Sequence, residues 1–182
     1  LKPGRPLAFT YHHNRLDAYY PVAVAILDAG LACTATLPCP AEMGASIHIS
    51  GTASSVVDSV FVCRSTGVVS RHTLAKSAGE FAEIVSADLD KLSQGGLKPT
   101  QGDTRCIIFG HLVRMTVWEL RTGWNPALPA KQKLSAVAHH MATLPRPEEI
   151  EAALSSEDLP ALRYAVNEGT ADYGTDVDEI IF

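Results

Sequence analysis

Long apolar runs are missing from this sequence of 182 residues. A membrane-spanning helix needs about 20 consecutive apolar residues, and the longest apolar windows here, around 22–27 and 106–109, are far shorter. We expect no secretory signal, because no basic start is followed by an apolar run. We therefore expect that the protein has no contact with a membrane and that it is located in the cytoplasm.

Closely paired cysteines are also missing. The four cysteines form no Cys-x-x-Cys motif, and each has apolar neighbours: Cys33, Cys39, Cys63 and Cys106. Zinc sites usually show closely spaced ligand pairs, so no metal is expected. The pattern indicates buried thiols that stay reduced, as is usual in the cytoplasm. A metal site or a disulfide is the alternative that the sequence leaves open.

A cluster of Lys and Arg, the usual mark of a nucleic-acid-binding surface, is absent too. Apolar residues make up 46% and charged residues 19% of the chain, which is typical of a globular protein. Residues 1–145 carry 13 basic and 10 acidic side chains, whereas residues 146–182 carry 2 basic and 10 acidic. The acidic end is either a solvated terminus or a segment that docks on a basic surface elsewhere.

The pattern of apolar residues predicts a mixed α/β fold. Strands are expected at about 6–12, 32–38 and 55–63, and apolar residues at helical spacing predict a helix over 16–29. Because one helix joins the first two strands, they are expected to run parallel. The third strand follows a link without a helix, so we expect it to lie antiparallel between the other two.

The second half of the sequence predicts helices. Ser77 and Glu80 form a capping box that opens the first of them. A second helix, expected to be central, runs from Asp103 to about Arg121, and a third covers 130–143. Two short helices are expected near 147–154 and 158–167.

Several segments of the first third resemble one family. Leu1-Lys2-Pro3-Gly4 precedes the first strand, where class I S-adenosylmethionine-dependent methyltransferases often carry Leu-Lys-Pro-Gly-Gly before their fifth strand. The stretches that follow resemble the carboxyl end of large adenine-specific DNA methylases found beside phage-defence genes: Phe9-Thr10-Tyr11-His12-His13, Thr34-Ala35-Thr36-Leu37-Pro38, Ala41-Glu42-Met43 and Val60-Phe61-Val62-Cys63-Arg64. The close part of the resemblance covers residues 1–64.

The resemblance implies a fold and a division of the chain. It implies the carboxyl-terminal part of a class I methyltransferase sheet, with two parallel strands and an antiparallel hairpin strand, followed by an α-helical extension. Residues 1–66 would be the partial methyltransferase unit, 67–145 the helical extension, and 146–182 an acidic tail with short helices. The three strands would be the fifth, sixth and seventh of the family.

Two motifs of the family are absent. The sequence contains no Gly-x-Gly for the methyl-donor turn and no Pro-Pro for the catalytic motif of amino-methylating DNA methylases. The resemblance therefore implies that both motifs lie upstream of Leu1, with S-adenosylmethionine and DNA as ligands of the whole enzyme. This chain would complete the sheet and the substrate side of the site. We expect the chain alone to be inactive, to bind no S-adenosylmethionine, and to need the upstream half or a partner subunit.

Two other functions stay open. The chain could be a non-enzymatic interaction module, a relic or separately encoded subunit that needs a partner chain. It could also be a free-standing α/β protein with no role in methylation. A reading frame upstream of Leu1 that contains both missing motifs would favour the enzyme.

The candidate substrate-side residues gather at the expected carboxyl end of the first strand. Open α/β sheets bind ligands at this edge, and the loop after the second strand opens there as well. An aromatic ring and imidazoles could stack on a flipped base or form hydrogen bonds with it. The candidates are Tyr11, His12, His13, Asn14, Glu42 and His48. The alternative is that one of the two adjacent histidines packs against the next helix while the other is solvated.

Cations on the predicted central helix form a further candidate surface. Arg105, Arg114 and Arg121 are expected near one face of that helix. They could follow a DNA backbone, meet the acidic tail, or form an ordinary solvated face. Trp118 and Trp124 are expected to serve in packing.

Overall fold

The part of the chain that the structure describes has a mixed α/β fold with a three-stranded antiparallel sheet and five α-helices. The structure is a computed structural model that describes residues 5–41, 55–65, 67–69, 74–156 and 179–181. The strands are β1 (Pro6–Tyr11), β2 (Ala32–Pro40), β3 (Val57–Arg64), β4 (Gly67–Val69) and β5 (Glu179–Ile181). The helices are α1 (Tyr20–Asp28), α2 (Ala78–Gln94), α3 (Gln101–Leu120), α4 (Ala130–Met141) and α5 (Pro147–Ser155), and a 3₁₀ turn, Leu16–Tyr19, leads into α1.

The main sheet has the strand order β1-β3-β2, and both of its pairs are antiparallel. β1 and β2 therefore point the same way with β3 reversed between them, which confirms the predicted order and directions. Every strand pair among the described residues is antiparallel, so the finer assignment to a class I methyltransferase sheet with parallel strands is not supported by this part of the chain. A separate antiparallel pair joins β4 to β5.

Two predicted boundaries were wrong by a few residues. β2 continues two residues beyond its predicted end, through Pro40. Among the described strands β2 pairs only with β3, and proline is tolerated on such an edge strand. α3 begins before Asp103, because Thr100 is its N-cap and Asp103 closes the capping box. The capping box of Ser77 and Glu80 is confirmed, and the predicted helix at 158–167 lies outside the described residues.

The core forms where α3 crosses one face of the sheet. Alternate residues of β3 are buried against the helices: Val57, Ser59, Phe61 and Cys63. Every residue of α3 from Cys106 to Trp118 is buried, so its predicted central position is confirmed. The opposite face of the sheet is left more open, and Leu37 there is 46% exposed.

A buried hydrogen bond joins α2 to α3. Nε2 of His111 lies 3.0 Å from a carboxylate oxygen of Asp88, and both side chains are buried. Nζ of Lys91 donates to the other oxygen at 3.1 Å. Burial by itself raises the pKa of Asp88, but the hydrogen bonds and charges of His111 and Lys91 hold that pKa below its ordinary value. The ionised carboxylate therefore stabilises the folded state.

Replacing Asp88 with asparagine should weaken the fold at neutral pH and flatten its dependence on acid. Because the pKa of Asp88 is lowered on folding, its contribution is complete above the unfolded value near 3.8 and disappears as the pH falls through the folded value. We expect Asp88→Asn to lower the free energy of unfolding at pH 7 by about 1–3 kcal/mol. Urea denaturation at several pH values between neutral and acidic measures both effects.

Asp90 provides the matched control, because it lies exposed on the same helix. Asp90→Asn should leave the free energy of unfolding and its acid dependence close to those of the wild type. Equal behaviour of the two variants would show that the pair between Asp88 and His111 does not stabilise the fold.

Candidate functional site

The site is built where β1 ends and the chain turns into the 3₁₀ turn. The hydroxyl of Tyr11 donates to the carbonyl of Ala18 at 2.9 Å, which holds the strand end against that turn. The rings of Tyr11 and Tyr19 meet edge to face, with centroids 5.0 Å apart. The segment between them is therefore held at both of its ends, and it carries the adjacent histidines.

His12 is fixed through one nitrogen and open at the other. Its Nδ1 lies 3.0 Å from the carbonyl oxygen of Val57, so in the neutral ring Nδ1–H donates to that oxygen. The same nitrogen lies 3.9 Å from the Asp58 carboxylate and 3.7 Å from Sγ of Cys106. The side chain is 33% exposed. In that tautomer Nε2 has no hydrogen-bond partner among the described residues, and it can accept a hydrogen bond from a ligand.

The side chains that pack beneath His12 are uncharged. The hydroxyl of Tyr19 lies 3.6 Å from Sγ of Cys106, and Ser59 donates to the carbonyl of Cys106 at 3.1 Å. Burial raises the pKa of the Cys106 thiol and of the Tyr19 hydroxyl above their ordinary values. Both groups therefore stay protonated at neutral pH, and neither is prepared to act as a nucleophile or a base.

The other predicted site residues differ in what they do. His13 accepts a hydrogen bond from the backbone N–H of Arg15 at 3.0 Å, so its ring shapes the local turn. The backbone N–H of His13 donates to the hydroxyl of Tyr19 at 3.3 Å. Asn14 is exposed beside it. Glu42 and His48 lie outside the described residues.

No protein-family model, curated protein or solved structure matches this chain. What the site can do chemically is therefore inferred from its geometry. The described residues contain no group of three or more His, Cys, Asp and Glu side chains placed to hold a metal ion. Nor do they include a helix with the length and apolar character needed to cross a membrane.

Sequence reasoning missed the residues that support His12. Asp58, Tyr19 and Cys106 come from three other parts of the chain, and Cys106 is 94 residues away from His12. The pairing of Tyr11 with Ser59 places the start of β3 beside the end of β1. The expected pairing of these two strands could have indicated that Asp58 and Ser59 lie near His12. No pattern in the sequence indicates that Cys106 also lies near it.

The predicted face of arginines on α3 does not exist. Arg105 donates to Glu151 of α5 at 2.6 Å, which agrees with the alternative that the acidic segment meets this helix. Arg114 is buried. The guanidinium of Arg121 lies 3.6 Å from the centre of the Trp118 ring. The prediction was wrong because nine residues are about two and a half helical turns, which places Arg105 on the opposite side of α3 from Arg114, and because α3 is buried from Cys106 to Trp118.

The tryptophans have the predicted packing roles. Trp118 is buried, and Trp124 donates from its indole nitrogen to the Asp28 carboxylate at 3.0 Å. Lys133 donates to the other oxygen of Asp28 at 2.7 Å. Asp28 thus joins the end of α1 to α4.

Proposed function

We propose that this chain is the carboxyl-terminal part of a DNA adenine methyltransferase, completing the sheet and the substrate side of the site. The strand order carries the proposal: β1 and β2 point the same way, and β3 lies antiparallel between them. The family that the first third resembles has this arrangement in its fifth, seventh and sixth strands. S-adenosylmethionine and the catalytic motif would belong to the upstream half.

The two edges of the sheet support the proposal, because they differ. The β2 edge contains Pro38 and Pro40 and a register shift after Cys33, and prolines and bulges protect an edge from further pairing. β1 has no charged residue, and Leu7 on it is 41% exposed. An uncharged edge without a bulge is the one suited to pair with a preceding strand.

His12 is the residue best placed to meet the substrate. It follows the carboxyl end of β1, and its Nδ1 is held by the carbonyl of Val57. The free Nε2 can accept a hydrogen bond from the amino group of a base. Tyr11 is less suited to stack on a base, because its ring packs against Tyr19.

The deciding experiment expresses this chain together with its upstream reading frame. We expect the complete product to transfer a radiolabelled methyl group from S-adenosylmethionine to adenine in DNA. The isolated chain should neither transfer methyl groups nor bind S-adenosylmethionine in calorimetry. An upstream frame without a Gly-rich turn and a Pro-Pro motif, or binding of the methyl donor by the isolated chain, would refute the proposal.

Replacing His12 with alanine in the complete product should reduce kcat/KM about tenfold, because one hydrogen bond to the substrate is lost. His139 supplies the control, since it is exposed on α4 and distant in sequence from the site. His139→Ala should retain the wild-type rate. Equal rates for His12→Ala and the wild type would remove His12 from the substrate side while leaving the methyltransferase assignment standing.

The unprotected edge also favours a second function, that of an interaction module which pairs with another chain. Both functions predict that the isolated chain self-associates through β1 at tens of micromolar concentration. Ala8→Lys should shift sedimentation towards the monomer, because a charge on an edge strand opposes further pairing. Phe9 is unsuitable for this test, because its ring stacks on Phe61 with centroids 5.3 Å apart.

Leu37→Lys is the control for the edge test, since Leu37 is exposed on the other edge strand. This variant should associate like the wild type, and both variants should keep the wild-type unfolding midpoint. A wild-type chain that sediments as a monomer and is unaffected by Ala8→Lys would favour the free-standing α/β protein.

A further inference from the structure

Two fully buried cysteines lie directly opposite each other on adjacent strands of the sheet. Cys33 of β2 is the register partner of Cys63 of β3, and both are 0% exposed. Both thiols are free in the structure. We propose that Cys33 and Cys63 form a reversible disulfide when the protein meets a peroxide, so that β2 and β3 become covalently joined. This proposal is independent of the methyltransferase assignment.

The backbone geometry permits the bond. Residues directly opposite in an antiparallel pair have Cα atoms about 4.5 or 5.5 Å apart, and both values fall within the roughly 4.4–6.8 Å range of disulfides. The register of β2 shifts between Cys33 and Ala35, immediately beside the pair. Such an irregularity interrupts the regular ladder, so the backbone can adjust there as the sulfur atoms approach.

The surroundings make the two thiols unequal. Arg114 of α3 is buried, and its positive charge acts on Cys33. The hydrogen bond from the Cys63 thiol is the largest cause that lowers the pKa of Cys33, and the charge of Arg114 adds to it against the effect of burial. The pKa of Cys63 is raised, because its proton is held in that bond and its surroundings are apolar. The positive charge of Arg114 favours Cys33 as the attacking thiol, with Cys63 as the resolving one.

The reaction balances with hydrogen peroxide as the oxidant. The Cys33 thiolate attacks one peroxide oxygen, the O–O bond breaks, and Cys33 becomes a sulfenic acid while hydroxide leaves. The sulfur of Cys63 then attacks the sulfur of Cys33. The S–S bond forms, the S–O bond breaks, and the hydroxyl leaves with the proton of Cys63 as water. Two electrons pass from the thiols to the peroxide, and a dithiol reductant reverses the change.

Access to the sulfur atoms comes from the end of the ladder. The next pair, Ala32 with Arg64, is the last one between β2 and β3. Ala32 is itself buried, so this end of the ladder must open locally before peroxide, a small molecule, can reach the sulfur atoms. Because both sulfur atoms are buried, we expect oxidation to be slow and limited by this opening.

The test treats the protein with hydrogen peroxide and then alkylates all remaining thiols under denaturing conditions. Cys39→Ser is used beside the wild type, because Cys39 is exposed and could form bonds between molecules. We expect two fewer alkylated thiols and a linked pair of peptides that contain Cys33 and Cys63. The oxidised protein should unfold at a higher temperature than the reduced one, and dithiothreitol should reverse both changes.

Cys63→Ser separates the two steps, since a sulfenic acid on Cys33 should then persist and react with dimedone. If Cys63→Ser does not fold, the peptide map of the oxidised wild-type protein still tests whether Cys33 and Cys63 are linked. Full alkylation of all thiols after peroxide treatment would overturn the proposal. A disulfide that instead involves Cys106, or oxidation confined to Cys39, would overturn it as well.

Discussion

Replacing Gly110 with valine is expected to lower the free energy of unfolding by about 2–3 kcal/mol, because the new side chain overpacks the interface of α3 with the sheet. A Cβ atom at Gly110 would lie 2.7 Å from Cγ2 of Thr36 and 2.8 Å from Oγ of Ser59. Both atoms belong to short side chains on strands, so they have little freedom to move aside. The helix must therefore shift away from the sheet. Chemical denaturation measures the loss.

Alanine at Gly110 should have a smaller effect, a loss of about 1–2 kcal/mol, because the gain in helix propensity offsets part of the clash. Gly79 of α2 is the matched control, since a Cβ there meets no atom within 4 Å. Gly79→Ala should be neutral or slightly stabilising. Adding Thr36→Ser to Gly110→Ala removes the methyl group that clashes and should recover part of the loss. Equal effects of alanine at positions 79 and 110 would show that α3 does not need this close approach.

Asp103→Ala is expected to cost about 2–4 kcal/mol of unfolding free energy, because four hydrogen bonds to a buried carboxylate are lost together. The carboxylate of Asp103 is fully buried. One of its oxygens accepts from the backbone of Val56 at 2.7 Å and from the hydroxyl of Ser55 at 2.8 Å. The other accepts from the backbone and the hydroxyl of Thr100 at 2.7 and 2.8 Å. One residue thus caps α3 and anchors the segment that enters β3.

Glu80 provides the control for Asp103, because it occupies the same capping-box position in α2 but is exposed. Glu80→Ala should cost at most about 1 kcal/mol, the usual value of a cap. Urea denaturation of the two variants under the same conditions gives the comparison. If Asp103→Ala costs no more than Glu80→Ala, the link from Asp103 to Val56 and Ser55 contributes nothing to stability.

The elements of the fold could be predicted because their signals are local. Alternating apolar residues marked β3, and the capping box of Ser77 marked the start of α2. The start of α3 was misplaced although Thr100 and Asp103 have the capping-box spacing. The position of β3 between the other strands followed from the single helix between them.

The site could be predicted only in part. The predicted end of β1 indicated Tyr11 and His12 as candidates. The structure places Tyr11 against the ring of Tyr19 and His12 beside the carbonyl of Val57. The approach of Cys106 depends on how α3 packs across the sheet, which no local pattern encodes. The prediction that the cysteines are buried was wrong for Cys39, which is exposed near the end of the edge strand β2.

The central position of β3 has a consequence for the order of events during synthesis. In the described sheet β1 and β2 have no hydrogen-bonding partner other than β3, so neither can pair until Val57–Arg64 has left the ribosome. At roughly 5–20 residues per second, β1 waits for several seconds. Local helix formation in α1 needs no such delay. The edge of the uncharged strand Pro6–Tyr11 that β3 later covers thus stays unpaired throughout that interval, and a nascent chain is most vulnerable to wrong pairing at this edge just before β3 emerges.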